Sequence, residues 1–228
     1  MVKVISKVEG APGVFTDGKD LFTVNAAPGK DVYGERLLKV EGVEYRQWDP
    51  TRSKLAAMIL LGGKDFGLDQ SSKVLYLGAA SGTTASHVSD IVTSGFVYCI
   101  EFSERSFRDL VRVCETRRNM IPILSDANHP HEYQHMIEAA EFVYQDVAQR
   151  NQVEIFARNM ASFEAGHGIL MLKSRSVNVN RKPKEVFAEA RKELVGACLK
   201  VKGVIDLERY AKDHAAFVVE GWGSWRSS

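Results

Sequence analysis

Apolar and polar positions alternate in two regimes that meet near residue 50. Before that point, short runs such as Val2-Lys3-Val4-Ile5, Leu21-Phe22-Thr23-Val24 and Leu37-Leu38-Lys39-Val40 lie between turn signals at Gly10-Ala11-Pro12-Gly13, Asp17-Gly18 and Ala27-Pro28-Gly29. That pattern predicts a small antiparallel β unit. It clusters no acid, base or nucleophile, so packing or docking is its expected role. After Trp48-Asp49-Pro50-Thr51-Arg52, the stretch 53–61 reads as a helix stopped by Gly62-Gly63. Farther on, the spacing predicts strands at 74–77, 97–100, 121–124, 142–144 and 168–172, separated by helices at 84–92, 104–117, 131–139 and 152–161. A helix at 183–198 and strands at 201–207 and 215–219 follow. Strands joined through helices predict a mainly parallel sheet with right-handed crossovers, and the last two strands are close enough for a hairpin. The expected architecture is α/β, with a small β domain over 1–50 and a sheet domain over 51–228.

The second regime is organised around Lys73-Val74-Leu75-Tyr76-Leu77-Gly78-Ala79-Ala80-Ser81-Gly82-Thr83-Thr84. A buried strand delivers the chain to a small-residue loop, and a helix then starts with unpaired N–H groups, which is the form of a nucleotide cradle. By itself the loop also fits an ordinary strand-to-helix turn. In an open parallel sheet, ligands lie beyond the carboxyl ends of the strands. The residues there are the Gly78–Gly82 loop, Glu101-Phe102, Asp126-Ala127, Asp146-Val147-Ala148-Gln149 and Lys173-Ser174-Arg175. Glu101 stands about 20 residues beyond the loop, where an acid accepts hydrogen bonds from a ribose diol. A dinucleotide fingerprint would need glycines at 80 and 83, which are Ala80 and Thr83, and no GxxxxGK[ST] occurs. The Gly78–Gly82 spacing suits a ligand without a pyrophosphate, such as S-adenosylmethionine, its adenosine against Glu101, Phe102 and Asp126.

Four residues from distant segments are the catalytic candidates: Lys54, Asp146, Lys173 and His214. Lys173 should emerge from a buried strand at the ligand edge, where desolvation and a neighbouring cation would favour a proton acceptor. His129, His131 and His135 invite a metal reading, but no zinc signature frames them, and none is expected. No GxSxG occurs, and Cys99, Cys114 and Cys198 show no CxxC spacing, so hydrolase, zinc-ribbon and disulfide readings fall away.

Net charge changes the picture only locally. The formal charge is +1 overall, yet residues 173–228 hold twelve Lys/Arg against seven Asp/Glu. No window approaches the roughly 18 apolar residues of a membrane span and no signal core opens the chain, so a reducing cytoplasm is the expected compartment, with no membrane partner.

Taken together, the segments 45–57, 76–88 and 97–103, with Asp126-Ala127-Asn128-His129-Pro130, Asp146-Val147-Ala148-Gln149 and Asp213-His214-Ala215, closely resemble the fibrillarin family in order and spacing. The resemblance implies a class I S-adenosylmethionine-dependent methyltransferase fold, a Rossmann-like, mainly parallel seven-stranded sheet. It implies 2′-O-methylation of ribose in rRNA, and in archaea also tRNA, guided by box C/D RNA within a particle holding a Nop-family scaffold and a kink-turn-binding ribosomal-type protein. The family's catalytic set falls on Lys54, Asp146, Lys173 and His214. Its cofactor positions fall on Thr83, Thr84, Glu101, Phe102, Asp126, Ala127 and the run Asp146, Val147, Ala148 and Gln149, beside Gly78, Ala79 and Gly82 of the loop. No Gly/Arg-rich extension is present, so the compact archaeal type is expected. Many relatives continue Asp-Val-Ala-Gln with Pro-Asp-Gln, where this chain has Arg150-Asn151-Gln152. A methyltransferase acting on protein or a small molecule, or a non-catalytic assembly subunit, would share much of this pattern.

Overall fold

A computed structural model describes residues 5–221. The first of two sheets is antiparallel and built from β1 (Ser6–Lys7), β2 (Val14–Thr16), β3 (Leu21–Val24), β4 (Leu37–Val40) and β5 (Val43–Trp48), in the order β1-β2-β3-β5-β4. The expected strand Val2–Ile5 lies outside the described residues except for Ile5, which precedes β1. Strands β2 and β5 were not singled out in the sequence; each pairs with β3, and β5 supplies the fully buried Trp48.

The second sheet follows α1 (Lys54–Leu60). Its strands are β6 (Lys73–Leu77), β7 (Phe96–Glu101), β8 (Met120–Leu124), β9 (Phe142–Gln145), β10 (His167–Lys173), β11 (Lys200–Asp206) and β12 (His214–Glu220). The helices between them are α2 (Thr83–Ile91), α3 (Glu104–Cys114), α4 (Pro130–Tyr133), α5 (Gln152–Ser162), α6 (Ser174–Val177) and α7 (Pro183–Gly196). The spatial order is β11-β12-β10-β9-β6-β7-β8, parallel except for β12, which runs antiparallel to both β10 and β11. The expected hairpin is therefore present, and its second strand is the one that joins the sheet.

Side-chain parity divides the core. Val74 and Tyr76 of β6 face α1, α2, α3 and the first sheet, whereas Leu75 and Leu77 face α4, α5 and α7. Val14, Leu21 and Trp48 of the N-terminal sheet join the first of these clusters, so both sheets share one apolar core.

The helix expected over 131–139 is shorter. It occupies Pro130–Tyr133, passes through a 3₁₀ turn at Gln134–Met136, and Ile137 is already extended with φ −117° and ψ 116°. Only Tyr133 and Ile137 of residues 131–138 are buried, which is too little apolar face to sustain another turn before β9. The helix expected to reach Arg117 stops at Cys114.

Candidate active site

Parity also gathers the candidate chemistry. Tyr144 of β9, Met171 of β10 and Ala216 of β12 point into the cluster beneath α1, so Asp146, Lys173 and His214, each two residues away, lie on that same side. Lys173 and His214 are direct partners in the β10–β12 register. Lys54 reaches them from above as the first residue of α1. Its position is set by Ser53, whose Oγ accepts from Ala56 N at 3.4 Å as the helix N-cap and from Thr84 Oγ1 at 3.0 Å. Lys54 Nζ donates to both Asp146 oxygens, at 2.9 and 2.6 Å, and the pair is about one-quarter exposed. Lys173 Nζ makes no hydrogen bond or ion pair with the described residues.

His214 Nδ1 lies 2.7 Å from Lys212 O. A carbonyl only accepts, so Nδ1 carries the proton and Nε2 is left as an acceptor. Burial pushes the imidazole pKa below its usual value; the charges of Lys54 and Lys173 push the same way, against the Lys212 hydrogen bond and Asp146.

Two supports for this cluster had no role assigned in the sequence, although Asp213 stood in the Asp213-His214-Ala215 motif. Gln152 brackets the backbone of Lys173, accepting from Lys173 N at 3.0 Å and donating to Lys173 O at 3.2 Å. Its own carbonyl accepts from Gln145 Nε2 at 2.6 Å. On the other side, Asp213 holds a left-handed φ of 61°. Its carbonyl accepts from Ser174 N and Oγ, its carboxylate from Arg175 Nε at 2.7 Å, and its N–H donates to Glu208 at 2.8 Å. These bonds offset the strain and aim the turn that presents His214.

A groove of about 190 Å³ opens beside Asp146, lined by Gly78, Glu101, Phe102, Ala127 and the Asp146–Gln149 run, with Ala80, Ile100 and Ser125. Gly78 has φ +78°, and a Cβ there would stand 2.6 Å from Asp146 O, so only glycine lets the loop pass this close. Glu101 pins the loop: Oε2 accepts from Ala80 N at 2.8 Å, where Ala80 is itself left-handed, and Oε1 from Ser103 N at 2.7 Å. A carboxylate has about four lone-pair sites, so capacity remains for a diol. Phe102 is 69% exposed at the rim, a free ring face for a base. Asp126 stands between the lining residues Ser125 and Ala127 without lining the groove itself. Burial works to raise its pKa, but hydrogen bonds from the Asn128 backbone and amide hold it below the usual carboxylate value.

Not every expected cofactor position lines this groove. Ala79 is buried, Gly82 is the left-handed N-cap of α2, Thr84 is turned to Ser53, and Thr83 borders a neighbouring cleft. Among the three suggested histidines, His129 and His131 come together with Glu132, their ligand atoms within 4.8 Å of one another and all exposed; His135 is not part of that group.

A mostly parallel seven-stranded sheet, an antiparallel strand inserted at one side, a glycine loop after β6 and a carboxylate ending β7 define a class I S-adenosylmethionine-dependent methyltransferase fold. Loop, apolar rim and carboxylates fit that cofactor. The Fibrillarin family model matches residues 5–222, and the chain belongs to the fibrillarin family. It is 50% identical over 218 residues to a fibrillarin-like rRNA/tRNA 2′-O-methyltransferase of Methanothermobacter thermautotrophicus, covering 95% of this chain and 97% of the relative. Fibrillarin of Aeropyrum pernix in complex with natively bound S-adenosyl-L-methionine is similar at TM-score 0.86 and 40% identity, over 95% of this chain and 97% of that one. A fibrillarin/Nop5p complex contains a chain similar at TM-score 0.85 and 38% identity, over 92% and 98%.

Proposed function

We propose that this protein transfers the methyl group of S-adenosylmethionine to the 2′-oxygen of a ribose in rRNA or tRNA. The observation that carries the reading is the double engagement of Asp146, which lines the nucleotide groove while its carboxylate holds Lys54. It joins the cofactor groove to a cluster able to handle a hydroxyl proton. The 50% identity to a relative named for this activity supports the same substrate.

When bound, the cofactor supplies a methyl already activated by its sulfonium, so positioning carries much of the rate. Phe102 and Glu101, which line the groove, would hold the adenine and the ribose diol, with Asp126 beside the lining within reach of the base. Lys54 and Asp146, locked together, form the wall that orients the target sugar. His214 accepts the 2′-hydroxyl proton at Nε2, because its Nδ1 is committed to Lys212 O and the ring is held neutral. Lys173 supplies positive charge beside the developing oxyanion. The proton thus goes to His214 rather than to Lys173, the acceptor the sequence favoured.

The similarity to a chain of the fibrillarin/Nop5p complex supports a Nop-family scaffold as partner. Box C/D guide RNA and a kink-turn-binding ribosomal-type protein complete the particle. With a formal charge of only +1, the chain suits delegated targeting, in which base pairing supplies the sequence specificity. Labelled S-adenosylmethionine and the reconstituted guide particle test this directly: alkali-resistant label should appear at the guide-specified nucleotide. Label in protein or small molecules alone, or no transfer, would overturn the reading.

A further inference from the structure

A second cleft, of about 460 Å³, lies between the loop that joins β3 to β4, Arg52, the start of α2 and one face of α3. The mechanism above gives it no task. Its wall contains Lys30, Arg52 and Arg112 against Asp31 and Asp109. Asp109 pairs with Arg112 at 3.0 Å, and Asp31, which keeps its charge, is held in its own loop by a hydrogen bond from Gly34 N to Oδ2 at 3.0 Å, so the cleft carries a net excess of one positive charge. The ammonium of Lys30 has no partner among the described residues, and the Arg52 guanidinium meets only the Tyr33 ring, 5.9 Å from its centroid. Two uncommitted cations therefore line one concavity, with the hydroxyl residues Ser81 and Thr83 opposite.

The cleft and the active site are built from neighbouring residues of the same two segments. Arg52 lines the cleft, Ser53 bonds Thr84, and Lys54 holds Asp146, while Thr83 lines the cleft and Thr84 meets Ser53. Cα atoms two residues apart are separated by at most roughly 7 Å, so Arg52 and Lys54 serve sites that adjacent groups of one polyanion can reach together. The geometry points to an RNA phosphate site: Lys30 and Arg52 hold the backbone of the target strand beside the ribose being methylated. This rests on the ribose methyltransferase reading and extends the substrate surface onto the N-terminal β unit, whose expected role was packing or docking. Such contacts position a strand without reading its sequence.

The test uses Lys30→Gln, Arg52→Gln and Arg52→Lys in the full chain within the reconstituted guide particle. Target KM is measured against salt, S-adenosylmethionine affinity by calorimetry, and assembly by sedimentation. The Gln variants should raise target KM several-fold and lower the log–log salt slope by about one each. Cofactor affinity and assembly should stay unchanged, and Arg52→Lys should keep the slope. An unchanged salt slope would overturn the proposal, as would a defect confined to cofactor affinity, which would assign the cleft to the cofactor's amino-acid end. Loss of assembly would assign it to a protein partner. Absence of RNA methylation by the unmodified chain would instead sink the ribose methyltransferase reading, and this site with it.

Discussion

Arg46 Nη1 lies 2.8 Å from Asp90 Oδ2, and neither side chain has any exposed surface. The first belongs to β5 and the second to α2, so this pair ties the N-terminal sheet to the helix that begins at the cofactor loop. Arg46 also binds Glu35 and Ser86, and Arg117 approaches Asp90 at 3.3 Å. Burial raises the Asp90 pKa, opposed by the charges of Arg46 and Arg117.

Removing one member leaves the other charges buried without compensation. Arg46→Met should therefore cost about 3–5 kcal/mol in urea unfolding. A loss below about 1 kcal/mol would show that solvent reaches the network.

His87 reports the same interface through pH. Its ring is buried between Thr23 Oγ1 at 2.8 Å and Tyr33 OH at 2.9 Å, stacked on Trp48, and burial followed by Arg46 and Arg117 holds its pKa well below 6.5. The unfolded chain protonates this imidazole below about pH 6.5 while the folded chain does not, so stability is full above that pH and falls beneath it. The expected slope is about 1.4 kcal/mol per pH unit for this group. Urea titrations at pH 7.5 and 5.5 should show it, and His87→Gln should flatten it; equal slopes would contradict the assignment.

His214 predicts the acid limb of catalysis. With its pKa depressed, the rate should hold down to pH 6.5 and fall only below it, as Nε2 becomes protonated. Single-turnover rates of His214→Gln should lose that limb and drop about 10²-fold or more. A limb centred above 6.5, or one that survives the substitution, points to another base.

The Lys54–Asp146 pair predicts a separation of chemistry from folding. Asp146→Ala and Lys173→Ala should abolish methyl transfer, while circular dichroism shows a folded chain. Near-normal turnover in either would remove that residue from the mechanism.

At Gly78, an alanine adds strain at φ +78° and a Cβ 2.6 Å from Asp146 O. Gly78→Ala should cost about 1–3 kcal/mol and weaken cofactor binding. Calorimetric affinity equal to that of the unmodified chain would refute the close approach.

Much of the fold was legible because its signals are local. The unbroken apolar run Val74-Leu75-Tyr76-Leu77 marked a buried strand, and Gly78 and Gly82 marked the loop. The candidates Lys54, Asp146, Lys173 and His214 come from segments that no spacing in the sequence joins, and the fibrillarin resemblance assigned them as one set. The helix expected over 131–139 is cut to Pro130–Tyr133 because only Tyr133 and Ile137 of residues 131–138 find a buried partner, which the local pattern does not show.

By itself, then, the sequence determined the strands of the larger sheet, the loop chemistry and the strand ends at which Asp146 and Lys173 lie, since these follow from backbone geometry over a few residues. Only the tertiary structure decided that Asp146 pairs with Lys54, that Gln152 braces Lys173, that His214 is fixed by Lys212, and that Arg46 and Asp90 are core residues. Nothing in the sequence marked Arg46, Asp90 or Gln152 as core residues. They are buried because distant segments satisfy one another's hydrogen bonds and charges, and that compensation exists only once the chain has folded.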